Sequence, residues 1–500
     1  MELPFEKTVC RYWNQKLYEL RSTEQTQELR VPEGMPDVER VISAWGQVVL
    51  RGKEWRERSL GVNGGMMIWV LYQPEGNEGL QRLESWIPFQ ERFDMPSAQE
   101  DGAIRIQTVL RSVDARNISS RKLMLRCSIG LLVQALVPAQ AMIGVPGELP
   151  EDVELLRHRY PMMLIRETGE KTFLLDEELD LPGSVSPVER LVYFQLEPEL
   201  LDQKVMGSRG IFRGLGHLHV LYWNQEEKLC VYDFQVPFAQ YMDLEQDYEE
   251  EAMVNNLLCV TSLELDVTEN GTLHLRCGMV SQYTVQDRSV LDLVEDAYSP
   301  CRDVEVSSEE LTLPAILDDG MQVLDMSGKL GTGEGTLVDV SFQTGLPRVS
   351  RTEHGIQAKS EGIFRALSQD KTGWIVARED NGEGEFRQNA HVTTDTVCFS
   401  WRKGGATTRR EGSDWRVDTQ VVLDLSTISS RSMNVVTALE LGPEREPDEK
   451  RPSVIIRAKG KNEGLWDIAK KCGSTVGAIS RLNRLEGEPE EDTLLLIPVL

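Results

Sequence analysis

One stretch of this chain occurs twice. Met66–Asp94 carries Ile68, Trp69, Val70, Leu71 and Tyr72, a loop from Pro74 to Gly79, then Trp86, Ile87, Pro88, Phe89 and, five residues on, Asp94. The later copy reads Leu218, His219, Val220, Leu221 and Tyr222, a polar loop, then Val236, Pro237, Phe238 and Asp243. Tyr72 to Tyr222 is a shift of 150 and Phe89 to Phe238 a shift of 149. Repetition at this period makes the chain an array of similar domains, so a function assigned to one copy has to account for the others.

The copies extend in both directions. Pro32, Pro36, Val38, Glu39, Arg40 and Val41 correspond to Pro182, Pro187, Val188, Glu189, Arg190 and Val192. The prolines mark a turn after an extended segment. Ile68, Val70 and Tyr72 alternate onto one face, as do Leu218, Val220 and Tyr222, which is the period of a strand. A further strand follows in each copy: Leu123, Leu125, Cys127 and Ile129, then Leu273, Leu275, Cys277 and Met279. The cysteines in this pattern read as small core residues. Repeat one begins around Thr26, and the first twenty residues, with Tyr12, Trp13, Leu17, Tyr18 and Leu20, fit either a helix or a strand.

A third copy is more worn. Gly362, Ile363, Phe364 and Arg365 repeat Gly210–Arg213, and Ile428, Ser429, Ser430 and Arg431 repeat Ile118–Arg121, but the Pro-Phe pair is gone. Short alternating strands punctuated by Gly, Pro, Asn and Asp predict a mainly β chain of sandwiches or open barrels. Glu444, Glu446, Pro447, Asp448, Glu449 and Pro452 form a polar linker. Beyond it the order is strand (Val454–Ile456), helix (Leu465–Lys471, ended by Gly473), a second helix capped by Ser474, and a strand from Leu494, a small βααβ, α+β unit. The plan is 1–145, 146–300 and 301–443 for the repeats, 444–452 for the linker and 453–500 for the last domain.

Five hundred residues fit three or four cores, and 40% hydrophobic content fits folded domains. A net charge of −27 argues against nucleic-acid binding, since phosphates are repelled, and favours a basic or neutral partner surface. Glu2, Pro4, Glu6 and Lys7 interrupt any secretory signal, so the chain is expected to stay where it is made. Ile129–Val145 is too short and polar to span a bilayer and reads as a strand followed by a linker. The eight cysteines are dispersed with no zinc or redox spacing, which predicts free thiols in a reducing compartment.

The last domain resembles the LysM family, modules that recognise N-acetylglucosamine polymers such as peptidoglycan. Leu465, Trp466, Asp467, Ile468 and Ala469, then Leu482, Asn483 and Leu485, then Leu495, Ile497 and Pro498 carry the likeness. Where the family has Gly-Asp-Thr and Pro-Gly-Gln in its groove loops, this chain has Asn462, Glu463, Gly464 and Glu491, Asp492, Thr493. The repeats resemble SPOCS domains of clostridial spore-coat proteins, on Pro32, Pro36, Asp37 and Val38, on Val70, Leu71 and Tyr72, on Ile87, Pro88 and Phe89, and on the strand after Arg121. Three such repeats followed by LysM imply a non-enzymatic coat morphogenetic protein in the mother-cell cytoplasm, at the forespore surface. That likeness implies docking on a stage IV sporulation protein A-like coat ATPase through Lys461, Asn462, Glu463, Gly464, Leu465, Trp466, Asn483, Arg484 and Leu485. The alternative is that the same residues hold peptidoglycan. No cofactor or metal is expected.

Other candidates have blander readings. Arg457, Lys459, Lys461, Lys470, Lys471, Arg481 and Arg484 form either a docking patch for an acidic protein or a solvated face. Trp466 fits a core position better than a stacking platform. His217 and His219 share a strand face but lack neighbouring ligands in sequence. Gly331–Thr336 lacks the Lys and Ser or Thr of a phosphate loop, and Asp247–Glu251 is a charge run of the solvated kind.

Overall fold

The computed structural model describes residues 2–3, 5–76, 79–269, 271–331, 335–352, 355–389, 396–445 and 452–500. The chain is mainly β and its sheets are antiparallel. The first unit contains β1 (Glu2–Leu3), β2 (Phe5–Arg30), β3 (Val38–Arg56), β4 (Ser59–Pro74), β5 (Gln81–Asp94), β6 (Ala103–Ser119) and β7 (Lys122–Pro146). The second contains β8 (Glu154–Leu179), β9 (Arg190–Trp223), β10 (Leu229–Tyr248), β11 (Met253–Val267) and β12 (Leu273–Tyr298). The third contains β13 (Arg302–Leu330), β14 (Thr336–Thr344), β15 (Arg348–Thr352), β16 (Gly355–Gln369), β17 (Ile375–Asn389), β18 (Thr396–Lys403), β19 (Thr407–Glu411) and β20 (Asp414–Glu444). A small module follows: β21 (Val454–Ala458), α1 (Leu465–Cys472), α2 (Val476–Asn483) and β22 (Leu494–Pro498).

Each unit uses the same pairing plan. Its first long strand runs antiparallel to its last, β2 to β7, β8 to β12 and β13 to β20, while the two-residue β1 pairs with β20 of the third unit. The penultimate strand (β6, β11, or β18 with β19) lies on the other side of the last one. The middle strands make a second sheet, β3-β4-β5 in the first unit. In the second unit one long strand does the work of two. β9 doubles back at Gly207, whose φ of 61° suits a residue without a Cβ, so that Glu189 meets Trp223, Glu199 meets His217 and Asp202 meets Arg213.

The repeated residues occupy repeated positions. Tyr72 and Tyr222 are both fully buried, and their hydroxyls donate to the carbonyls of Pro36 (3.1 Å) and Ser186 (2.9 Å), again 150 residues apart. Phe89 and Phe238 pair with Gly64 and Gly214, where a Cβ would strike the Phe ring. Cys127 and Cys277 are fully buried, and burial pushes both thiols up to about 12.

Beyond the two-sheet bodies the first and last strands run on together as three ribbons. Cys10, Tyr12, Ala141 and Ile143 from the first, Met162, Leu164, Leu291 and Leu293 from the second, and Leu313, Met433 and Val435 from the third make one shared core. Leu136, Ile165 and Ile316 make another such three-way contact. Residues 5–20 are therefore strand, and Ile129–Val145 is strand throughout, paired as far as Pro146, with no linker. Glu444, expected in the linker, ends β20 opposite Arg302. Residues 446–451 of that linker and 332–334 of the glycine-rich loop lie outside the described residues.

Every unit touches the other two. Arg105, buried, donates to Asn255 Oδ1 at 2.6 Å, Tyr18 donates to the Phe399 carbonyl at 2.7 Å, Arg365 donates to the Ala44 carbonyl, and Lys403 pairs with Glu197.

Candidate functional site

The module folds around Leu465, Ile468, Ala469, Ile479, Leu495 and Ile497. α1 begins at Gly464, whose N–H donates to Asp467 Oδ2 (3.0 Å), and its last turn carries Lys470 and Lys471, charges matched to the helix dipole. Thr475 caps α2 by accepting from Ala478 N at 3.1 Å. Ser474, the expected cap, is instead fully buried one residue earlier, because the chain leaving α1 through left-handed Gly473 turns it inward.

The nine candidate residues fall into two groups. Lys461 and Asn462 are exposed on the β21–α1 loop, Asn462 in the left-handed region at φ 59°. Arg484 is exposed at the end of α2, also left-handed at φ 56°. The others are committed within the molecule. Leu465 is core and Leu485 packs against that core. Glu463 binds Arg457 (2.7 Å) and Lys471 (2.8 Å), which hold its carboxyl below the usual carboxylate range. Asn483 donates to Ile479 O (2.8 Å) and Leu496 O (2.6 Å) and accepts from Leu496 N (2.8 Å), tying α2 to β22.

Between the two loops sits Glu488, which sequence reasoning did not single out. Its carboxylate accepts from Leu465 N (3.0 Å) at the start of α1 and from Lys459 Nζ (3.1 Å). It places an anion where the orphan N–H groups of a helix favour one.

Trp466 is half-buried, and its partners are outside the module. Its Nε1 donates to Asp296 Oδ2 (2.8 Å), and its ring meets Tyr298 edge to face with centroids 4.8 Å apart. Lys470 bridges the same Asp296 at 2.7 Å, and Tyr298 donates to the Ser474 carbonyl at 3.0 Å. Asp296 and Tyr298 end β12, so the module is seated on the second unit's ribbon. Asp296 and Tyr298 lie 170 and 168 residues from Trp466, a separation that left no local signal in the sequence. The basic patch is correspondingly reduced: Arg457, Lys459, Lys470 and Lys471 all sit in ion pairs, and Lys461, Arg481 and Arg484 make none among the described residues.

The outward face of the β21–β22 pair is different. Val454, Ile456, Leu494 and Leu496 are 44%, 69%, 71% and 39% exposed, and the register sets Val454 by Pro498, Ile456 by Leu496 and Ala458 by Leu494. Three alternate apolar rungs thus face outward.

His217 and His219 each bind an acid. His217 Nε2 is 2.7 Å from Glu199. His219 Nδ1 is 2.7 Å from Asp233, and its Nε2 forms an ion pair at 3.2 Å with Asp339 of the third unit. Burial alone would lower the His219 pKa, but Asp339 and Asp233 outweigh it and raise it to about 10. Glu249, Glu250 and Glu251 are exposed at the turn after β10. No helix among the described residues is long and apolar enough to cross a membrane.

No protein-family model matches this chain, and no curated protein matches it.

Proposed function

We propose that this chain is a non-enzymatic scaffold of spore-coat assembly, with three SPOCS-like units and a LysM-like module that docks on a stage IV sporulation protein A-like ATPase at the forespore surface. One observation carries the docking role: the outward apolar face of β21 and β22, centred on Ile456 and Leu496. Contiguous exposed apolar side chains of this kind mark protein-interaction surfaces, and burying each is worth roughly 1.5–3 kcal/mol. The groove reading is weaker, because Glu488 and Lys459 already join the two loops between which a sugar chain would lie.

The test is a pull-down of purified stage IV sporulation protein A by the full-length chain. Ile456→Asp and Leu496→Asp are expected to abolish capture with the fold intact by circular dichroism. Undiminished capture by both variants overturns the assignment of this face. Retention of the wild-type chain on peptidoglycan, lost in Lys461→Ala, would support the glycan reading instead.

A further inference from the structure

We infer that the first unit carries a binding site for a carboxylate-bearing sugar, in an open surface groove of about 650 Å³ beside Trp86. That volume lies within the range of small-ligand sites. The two units differ beside it. In the second unit Phe173 fills the space against Phe212 and Phe238, with centroids 5.8 and 5.5 Å away. At the same register the first unit has Thr23, opposite Ile129 as Phe173 is opposite Met279.

What lines the groove sets the ligand's chemistry. Trp86 is 39% exposed and lies across Gly65, where a Cβ would come within 2.1 Å of the indole, so the strand beneath supports the ring as a flat platform. Such a surface suits the apolar C–H face of a pyranose. Around it stand Gln25, Asn63 and Gln90, and none of their side-chain amides forms a hydrogen bond with another described residue. Each amide offers both donors and an acceptor, the complement of sugar hydroxyls. Arg51 supplies the charge. Its guanidinium lies 5.3 Å from the Trp86 ring centroid and pairs with no carboxylate among the described residues, although acidic residues outnumber basic ones by 81 to 54. A planar fork of donors left without an anion is matched to a carboxylate.

The second unit holds none of this set. The positions of Gln25, Arg51, Trp86 and Gln90 are occupied by Leu175, Leu201, Gln235 and Ala239, and Asn63 is replaced by Arg213. The five lining groups therefore change together where the shared framework of Phe89 and Phe238 does not, and the framework does not require them. The site is also independent of the C-terminal module and of the docking proposed for it.

Isothermal titration of the full-length chain with tetragalacturonate, with chitotetraose as the neutral comparator and hexaglutamate as the acidic peptide, tests the assignment. Tetragalacturonate is expected to bind at least tenfold more tightly than either. Trp86→Gln and Arg51→Leu, which install side chains the second unit carries at these positions, should each weaken it tenfold or more, and Ile456→Asp should leave it unchanged. Thermal melting confirms that each variant folds, and Gln90→Ala, a milder change at the rim, should weaken binding severalfold. Failure of tetragalacturonate to bind, equal affinity for chitotetraose or hexaglutamate, or indifference to the Trp86 and Arg51 substitutions overturns the proposal.

Discussion

Trp69 and His219 stand at the same place in successive units and solve the same problem in different ways. Each lies on the strand that carries the buried tyrosine, each points out of its own body into the next unit, and each faces an acid across the strand pair, Glu84 or Asp233. Trp69 donates to Glu84 at 3.1 Å and packs on Phe194 with centroids 4.9 Å apart. His219 holds Asp233 and reaches Asp339, with the Tyr193 ring 5.3 Å away. Tyr193 serves both joints, since it also stacks on Trp45 at 4.5 Å. One joint is thus apolar and the other ionic, on a common framework. The joints between repeats are where an array can diverge without disturbing its bodies.

The contrast can be broken most sharply at the apolar joint. Trp69→Ala removes a fully buried indole, and about 3–5 kcal/mol of stability should be lost in urea titration at any pH between 6 and 9. The ionic joint should respond to pH. Because the folded-state pKa of His219 is raised, its contribution is complete below the unfolded value near 6.5 and is lost as pH rises through about 10. Urea midpoints of the wild-type chain should therefore fall between pH 7 and 10, by an amount corresponding to roughly 2–3 kcal/mol, and His219→Gln should flatten that slope. A third joint, between module and ribbon, is weaker. Asp296→Ala removes the acceptor of both Trp466 and Lys470, and about 1–2 kcal/mol less protection of α1 is expected in hydrogen exchange. The shared framework predicts equality: Tyr72→Phe and Tyr222→Phe should each cost about 1 kcal/mol, within a few tenths of one another. Unequal values would show that the two bodies are less alike than their registers.

Much of each body was legible in the chain. The alternation around Tyr72 and Cys127 marks strands because a sheet with one buried face imposes a period of two, and the 150-residue echo places both copies in one fold. The ribbons were not legible. Ala139, Ala141 and Ile143 on β7 have their apolar face completed only by strands of the other two units, so the segment read as a strand trailing into a linker. At the module, the helices and strands follow local signals, whereas the engagement of Trp466 depends on Asp296 and Tyr298 in a different unit. Within Met66–Asp94, recurrence identified Tyr72 and Phe89 as framework. Trp86 is the aromatic of that stretch that does not recur.

The shared ribbon core also sets a timetable. Cys10 and Tyr12 complete their packing with Met433 and Val435, so during synthesis the first ribbon has to wait for about 420 further residues, roughly 20–80 s at ordinary elongation rates. For that interval its apolar face and strand edge are open to other chains at the same stage. Neighbouring nascent copies can then exchange ribbons, which makes crowding on the ribosome, rather than the stability of the finished fold, the condition most apt to decide the yield of correctly closed molecules.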